Sequence, residues 1–325
     1  MSVGVLVVGE IPRRRLGRFG LELTEISLGA AFIGGRTDPL MDDPEAMTRR
    51  LDGVAVAAVQ RALELGISHI DTSPLYAPSE RRIGMALAEA EAPGLTISTK
   101  VGTHAERRYS YTADDIRWSL DESLKLLGRD RVDVVLIHDP PTMDPVFKAG
   151  DGFDALDRLR DEGLLDYVGL GARDIPFHEA AIESGRVDVI LTFADYNLVR
   201  RQASGLIDKA AAAGVGVLLG SPQMLGLLAK GDPRVTARMR GFGYFPEEDV
   251  RGATEWWDWC REREVEFRHL NMRYVLDRPG ISTVLSGAAS AEEIGTNVRE
   301  ARTRIPDEIW DEALARVEEL DAGSA

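Results

Sequence analysis

Short apolar-rich runs alternate along this chain with longer stretches whose apolar positions recur at helical spacing, and the alternation repeats eight times. The runs at 26–29, 69–72, 96–101, 132–138, 167–171, 188–192, 216–220 and 281–285 are bounded by polar residues or glycine, as expected of parallel strands covered on both faces. Stretches 53–65, 80–90, 113–127, 154–162, 201–213 and 291–301 read as helices, most with a polar or acidic start. Gly66, Gly163 and Gly214 each stand where a helix would end and a strand begin.

Eight successive βα units predict an α/β fold, a closed (β/α)₈ or TIM barrel, with residues 1–325 as a single domain. Extra helices are expected at the C-terminus. Residues 1–15, with Arg13-Arg14-Arg15, read as a short, flexible, solvated extension. Segment 230–249, punctuated by Gly231-Asp232-Pro233 and Gly241, Gly243 and Pro246, is expected to be a long loop leading into a helix around Trp256, Trp257 and Trp259.

Composition narrows the class. With 44% hydrophobic and 29% charged residues the chain is ordinary globular material, and no apolar run approaches the about 18 residues of a membrane span. The net charge of −15 disfavours nucleic acid and anionic lipid as partners. Arg13-Arg14-Arg15 follows the apolar opening, the reverse of a secretory signal, and one cysteine, Cys260, forms no intrachain disulfide. A cytoplasmic location and no metal are the expectations, because the five histidines are dispersed.

In such a barrel reactive groups collect where strands end. Asp71 closes the second predicted strand, Lys100 the third, His138 the fourth, and Tyr76 follows Asp71 by five residues. A phenol titrating near 10 moves protons near neutrality only beside a cation, which a carboxylate then holds in place. Lys100 and Asp71 suit those parts, and His138 suits orientation of a substrate oxygen. Taken singly, each has a plain structural alternative: a strand-end cap, a salt bridge, a packed histidine, a rim aromatic. Phe32, His104, Tyr109, Tyr111 and Trp257 are candidate pocket residues on the same footing, and Cys260 reads as a small buried apolar residue.

Together, Asp71, Tyr76, Lys100 and His138 in their local contexts resemble the aldo-keto reductase superfamily, from Leu16-Gly17 to about Leu320. The stretches Asp71-Thr72-Ser73-Pro74, Gly214-Val215-Gly216-Val217 and Ser221-Pro222-Gln223-Met224-Leu225-Gly226 look like its sugar-oxidising branch of L-galactose and D-threo-aldose 1-dehydrogenases. The resemblance implies a barrel with NAD(P)(H) across its top, Tyr76 as general acid/base, Lys100 lowering its pKa, Asp71 paired with Lys100, and His138 orienting substrate. It implies cofactor contacts at Gly29, Ala30, Asp71, Gly171, Ala172, Ser221, Gln223, Leu225, Gly287, Ala289, Glu293 and Asn297.

The chain departs from the family pattern around the nicotinamide. Gly171-Ala172 stand for a common Ser-Asn pair, Phe193 for a Gln, and Gly220 for a stacking aromatic, which leaves Arg173 or Asn197 as substitutes. At the adenosine end, Gly287, Ala289 and Glu293 replace the bases that clamp a 2′-phosphate, and a carboxylate there suits a free 2′-hydroxyl, so NAD is favoured over NADP. The functions that follow are an aldose 1-dehydrogenase making a lactone, an aldehyde or ketone reductase on the same tetrad, or a nicotinamide-sensing binding subunit. The partner in each enzymatic case is a small sugar or carbonyl compound.

Overall fold

The computed structural model describes residues 5–6, 10–35, 43–76, 78–229, 231–241 and 243–322. Eight parallel strands close into a barrel: β1 (Ile26–Gly29), β2 (His69–Asp71), β3 (Thr96–Val101), β4 (Val132–His138), β5 (Leu165–Gly171), β6 (Val189–Phe193), β7 (Gly216–Gly220) and β8 (Thr283–Gly287). They pair in sequence order, and β8 closes on β1 through Val284 opposite Ile26. The expected (β/α)₈ architecture is therefore the observed one.

Outside the barrel run α1 (Pro44–Glu64), α2 (Ser79–Glu89), α3 (Ala113–Leu127), α4 (Gly152–Asp161), α5 (Ile175–Glu183) and α6 (Ser204–Ala213). They are followed by α7 (Pro233–Arg240), α8 (Glu247–Glu262), α9 (Phe267–Asp277), α10 (Ala291–Ala301) and α11 (Asp307–Ala322). One core lies between barrel and helices, around Ile70, Val135, Ile137, Val168, Ile190 and Val217. A second fills the barrel itself with Val134, Leu136, Val189, Leu191, Leu218 and Leu285. The strand pleat separates the two sets, since neighbouring residues on a strand face opposite sides. Gly169 is required by this filling: an added Cβ would stand 2.5 Å from Leu136 Cδ2 and 2.6 Å from the Val189 carbonyl oxygen.

Several boundaries differ from the sequence reading. Arg13–Arg15 is a strand, paired antiparallel with Glu22–Thr24, so this part of the expected extension is structured. The hairpin inserts Leu16 and Leu23, both fully buried, into the bottom of the barrel, and Arg14 reaches the Leu276 and Ile281 carbonyls. Residues 1–4 and 7–9 lie outside the described residues. The first helix starts nine residues earlier than the expected 53, at Pro44, because Asp43 accepts hydrogen bonds from Glu45 N and Ala46 N and Pro44 takes the first helical position. Segment 230–249 is not one loop: Asp232 caps α7, and α8 begins at Glu247. Strand β8 runs two residues later than 281–285, ending in a glycine that reads locally as a turn.

Candidate active site

The pleat that sends Leu136 into the barrel also sends His69 and Asp71 of β2, Ser98 and Lys100 of β3 and His138 of β4 inward. The barrel is thus polar inside on one flank and apolar on the other. Lys100, only 1% exposed, donates from Nζ to Asp71 Oδ2 at 2.7 Å and to the Thr72 carbonyl at 2.7 Å. The other Asp71 oxygen, Oδ1, accepts from Ser98 Oγ at 2.7 Å, and Ser98 Oγ lies 3.1 Å from His69 Nε2. The ammonium stands 4.7 Å from the centroid of the Tyr76 ring, whose loop is turned back by Tyr76 N donating to the Ser73 carbonyl. His138 meets the same ring edge-on, with centroids 6.0 Å apart. The fold thus brings Asp71, Tyr76, Lys100 and His138 to one place.

Charge states follow from the surroundings. Burial alone would favour the neutral amine of Lys100, but Asp71 and Tyr76 outweigh it and hold its pKa above the usual lysine range. Burial raises the Tyr76 pKa and Lys100 opposes this, so the ring is a phenol at neutral pH. Burial, followed by the charges of Lys100 and Arg173, pushes His138 well below the usual imidazole range, so it is neutral. Its Nδ1 lies 2.6 Å from Thr103 Oγ1 and 3.3 Å from Ser73 Oγ. Both hydroxyls are able to donate to Nδ1, an arrangement that suits the tautomer with its proton on Nε2. His69 is pushed down to about 4 by burial and is also neutral.

Asp139, which the sequence reading passed over, also stands at this mouth. It stands next to His138 with its Oδ2 3.9 Å from Nε2, too long to satisfy that ring nitrogen, and 3.5 Å from Arg173 Nε. The only local signal was a carboxylate directly after a strand-end histidine and ahead of Pro140-Pro141.

Around the rest of the mouth four strands end in bare backbone, with Phe193 at the end of β6 between two of them. Strands β1, β5, β7 and β8 end in Gly29, Gly171, Gly220 and Gly287, and an added Cβ at Gly220 would lie 3.1 Å from the Thr192 carbonyl oxygen. A flat heteroaromatic ring can lie close to such a surface, so the residues present fit a nicotinamide dinucleotide across the top. Ala30 and Ala172 are buried beside two of these ends.

Other expected contacts have partners of their own. Met224 N donates to the Ser221 carbonyl and Leu225 N to Ser221 Oγ, so these two N–H groups of the turn already bond within it. Gln223 is held by Asn271 and by the Arg268 carbonyl. At the start of α10, Ser290 accepts from Glu293 N, Glu293 Oε2 accepts from Ala289 N at 2.9 Å, and Asn297 Nδ2 donates to the Gly287 carbonyl. This is close to a capping box, which the Ser-x-x-Glu spacing encodes. Asn197 does not replace the missing carboxamide contacts: it is fully buried, and its Oδ1 accepts from Val199 N and Arg200 N. Arg173 instead lies over Phe193 at 4.5 Å. Tyr111 is buried with its hydroxyl on the His138 carbonyl, His104 packs on Trp118, and Cys260 is buried with its thiol pushed up to about 12. No group of side chains suited to hold a metal ion occurs among the described residues.

A barrel with this tetrad at its carboxyl end defines a class of oxidoreductase. The pattern of the Aldo/keto reductase family matches residues 25–318, and the chain belongs to that family. Its members use NAD(P)(H), and the chain is an oxidoreductase of the carbinol–carbonyl couple. It is similar to L-galactose dehydrogenase of Arabidopsis thaliana, at 28% identity over 89% of this chain and 88% of that protein. It is similar also to D-threo-aldose 1-dehydrogenase of a Pseudomonas species, at 26% identity over 90% and 94%. Pyridoxal 4-dehydrogenase of Microbacterium luteolum is 26% identical over 92% and 95%. A solved structure from Pseudomonas aeruginosa, assigned to the aldo-keto reductases, superposes with a TM-score of 0.65 at 25% identity, covering 89% of this chain and 94% of that one. No helix among the described residues is long and apolar enough to cross a membrane.

Proposed function

We propose that the chain oxidises the anomeric carbinol of an aldose to a lactone, with Tyr76 moving the proton and NAD as the preferred cofactor. The observation that carries this is the placing of Tyr76 between the Lys100 ammonium and the neutral His138 ring, with four glycine-ended strands around the rest of the mouth. A bound nicotinamide dinucleotide supplies the hydride acceptor. Tyr76, as phenolate, takes the hydroxyl proton, and the adjacent ammonium stabilises the charge it carries beforehand. Asp71 holds that ammonium, and His138 Nε2–H bonds the reacting oxygen. Ser221, Gln223, Leu225, Gly287, Ala289 and Asn297 would line the cofactor's diphosphate and adenosine portions, and Gly29, Ala30, Asp71, Gly171 and Ala172 its nicotinamide portion. The sugar substrate is supported by the likeness to two sugar dehydrogenases. We place the chain, as one catalytic domain, in the cytoplasm, a reading supported by its lone buried thiol.

The preference for NAD is supported by the stretch from Gly287 to Glu293, which carries two carboxylates, Glu292 and Glu293, and no base. A 2′-phosphate there would meet the Glu293 charge, which Ala289 N holds in place. A second reading, carbonyl reduction, is favoured by the raised pKa of Tyr76, since a phenol is the form that donates a proton to a nascent alkoxide.

The test follows reduced nicotinamide by absorbance, with NAD or NADP and a panel of free aldoses, and in reverse with small aldehydes. NAD-linked oxidation abolished in Tyr76→Phe is the expected result. Reduction without oxidation would replace the first reading by the second. Cofactor binding without turnover in either direction would overturn both and favour a sensing subunit. Glu293→Gln is expected to narrow the NAD:NADP ratio of kcat/KM, and a native preference for NADP would sink the cofactor assignment.

A further inference from the structure

Asp139 is held in an unusual place. Its φ of +39° is left-handed, a conformation that non-glycine residues seldom adopt and that clusters at functional sites. Asp139 N donates to the Gly171 carbonyl at 2.8 Å, and Pro140-Pro141 follow, so the carboxylate is fixed at the mouth of the barrel by its backbone. Its contacts are long, 3.5 Å to Arg173 and 3.9 Å to His138, and both side chains of the Asp139–Arg173 pair keep solvent access. An ion pair of this kind contributes little to stability. The backbone is thus held at the mouth while the carboxylate has only long, solvent-accessible partners, which points to a ligand.

We propose that Asp139 and Arg173 form a clamp for adjacent hydroxyl groups, selecting a neutral, polyhydroxylated substrate whose reacting oxygen lies at Tyr76 and His138. This rests on the carbinol–carbonyl chemistry proposed for Tyr76. A hydroxyl both donates and accepts, so a carboxylate beside a guanidinium matches two neighbouring hydroxyls, one donating to Asp139 and the other accepting from Arg173. The hydroxyl next to the reacting carbon falls to Asp139, whose Oδ2 stands 3.9 Å from His138 Nε2. Arg173 is steadied from below by Phe193, the residue that stands where the family pattern has a Gln. Charge balance agrees: Lys100 and Arg173 offset Asp71 and Asp139, while His138 and Tyr76 are neutral. Among the described residues, these groups leave no surplus cation for a sugar phosphate or sugar acid.

The test compares glyceraldehyde with propanal in the reducing direction, and an aldose with its 2-deoxy form in the oxidising direction, for the wild type, Asp139→Asn and Arg173→Gln. Asparagine tolerates the left-handed backbone, and Arg173 is largely exposed, so folding is preserved in at least one variant. The wild type is expected to prefer the hydroxylated partner, and each variant to lower the glyceraldehyde:propanal ratio of kcat/KM about tenfold, mostly through KM. A wild type indifferent to the hydroxyl, or ratios unchanged in both variants, would overturn the clamp. If the glyceraldehyde preference falls in the variants although no aldose is oxidised, the clamp stands and the aldose reading fails. If aldoses are oxidised and the ratios stay unchanged, the aldose reading stands and the clamp fails.

Discussion

The ammonium of Lys100 stands 4.7 Å from the centroid of the Tyr76 ring while its Nζ is shared between Asp71 Oδ2 and the Thr72 carbonyl. One cation thus links the buried carboxylate, the backbone at the end of β2 and the phenol above it, and the proposed proton transfer would depend on it as stability does.

Lys100→Met leaves the buried Asp71 without its cation. Breaking a buried pair from one side costs about 3–5 kcal/mol, so the expected outcome is a large loss in denaturant-unfolding free energy. Adding Asp71→Leu removes the stranded charge and should restore part of that loss. A double variant no more stable than Lys100→Met would refute the pairing as the source.

Oxidation and reduction should depend on pH with opposite signs. Burial raises the Tyr76 pKa, so the phenolate that accepts a proton forms only as pH rises into the alkaline range, and the phenol that donates one disappears there. Measured kcat/KM for oxidation should therefore climb with pH while that for reduction falls. Asp139→Asn removes a negative charge that adds to the Tyr76 shift, and should move both limbs to lower pH.

Ser98 is expected to matter without touching substrate. Its hydroxyl joins Asp71 Oδ1 to His69 Nε2, so Ser98→Ala strands an acceptor and a ring nitrogen in the barrel interior, at about 1–3 kcal/mol. Thermal melting should reveal that loss. Reorientation of Asp71 should appear as a displaced alkaline limb in the rate profile, and rescue by Ser98→Thr would separate hydrogen bonding from packing.

Acid should destabilise the protein through its buried histidines. His69 and His178 are both pushed down to about 4 by burial, whereas an unfolded histidine titrates at about 6.5. Between those values the unfolded chain binds more protons than the folded one, so stability is complete above about 6.5 and falls as pH drops towards 4. Unfolding free energy measured across that window should decline less steeply in His178→Gln, whose neutral amide keeps a donor for the Ala172 carbonyl.

By itself the sequence determined the barrel and the tetrad. Eight short apolar runs between helical stretches leave few other closed arrangements, and strand-end positions in such a fold converge on one mouth, so Asp71, Lys100 and His138 were legible as a group with Tyr76. Local cues carried this much because period and end position are properties of neighbouring residues. Long-range contact decided the rest. Arg13–Arg15 is a strand because Leu16 and Leu23 fill the bottom of the barrel, a place that does not exist until all eight strands have closed. Asn197, free to the eye in the sequence, is used by the Val199 and Arg200 amides. Asp139 became a candidate only when β5 came to lie beside β4, which pinned its amide to Gly171 and set Arg173 against its carboxylate.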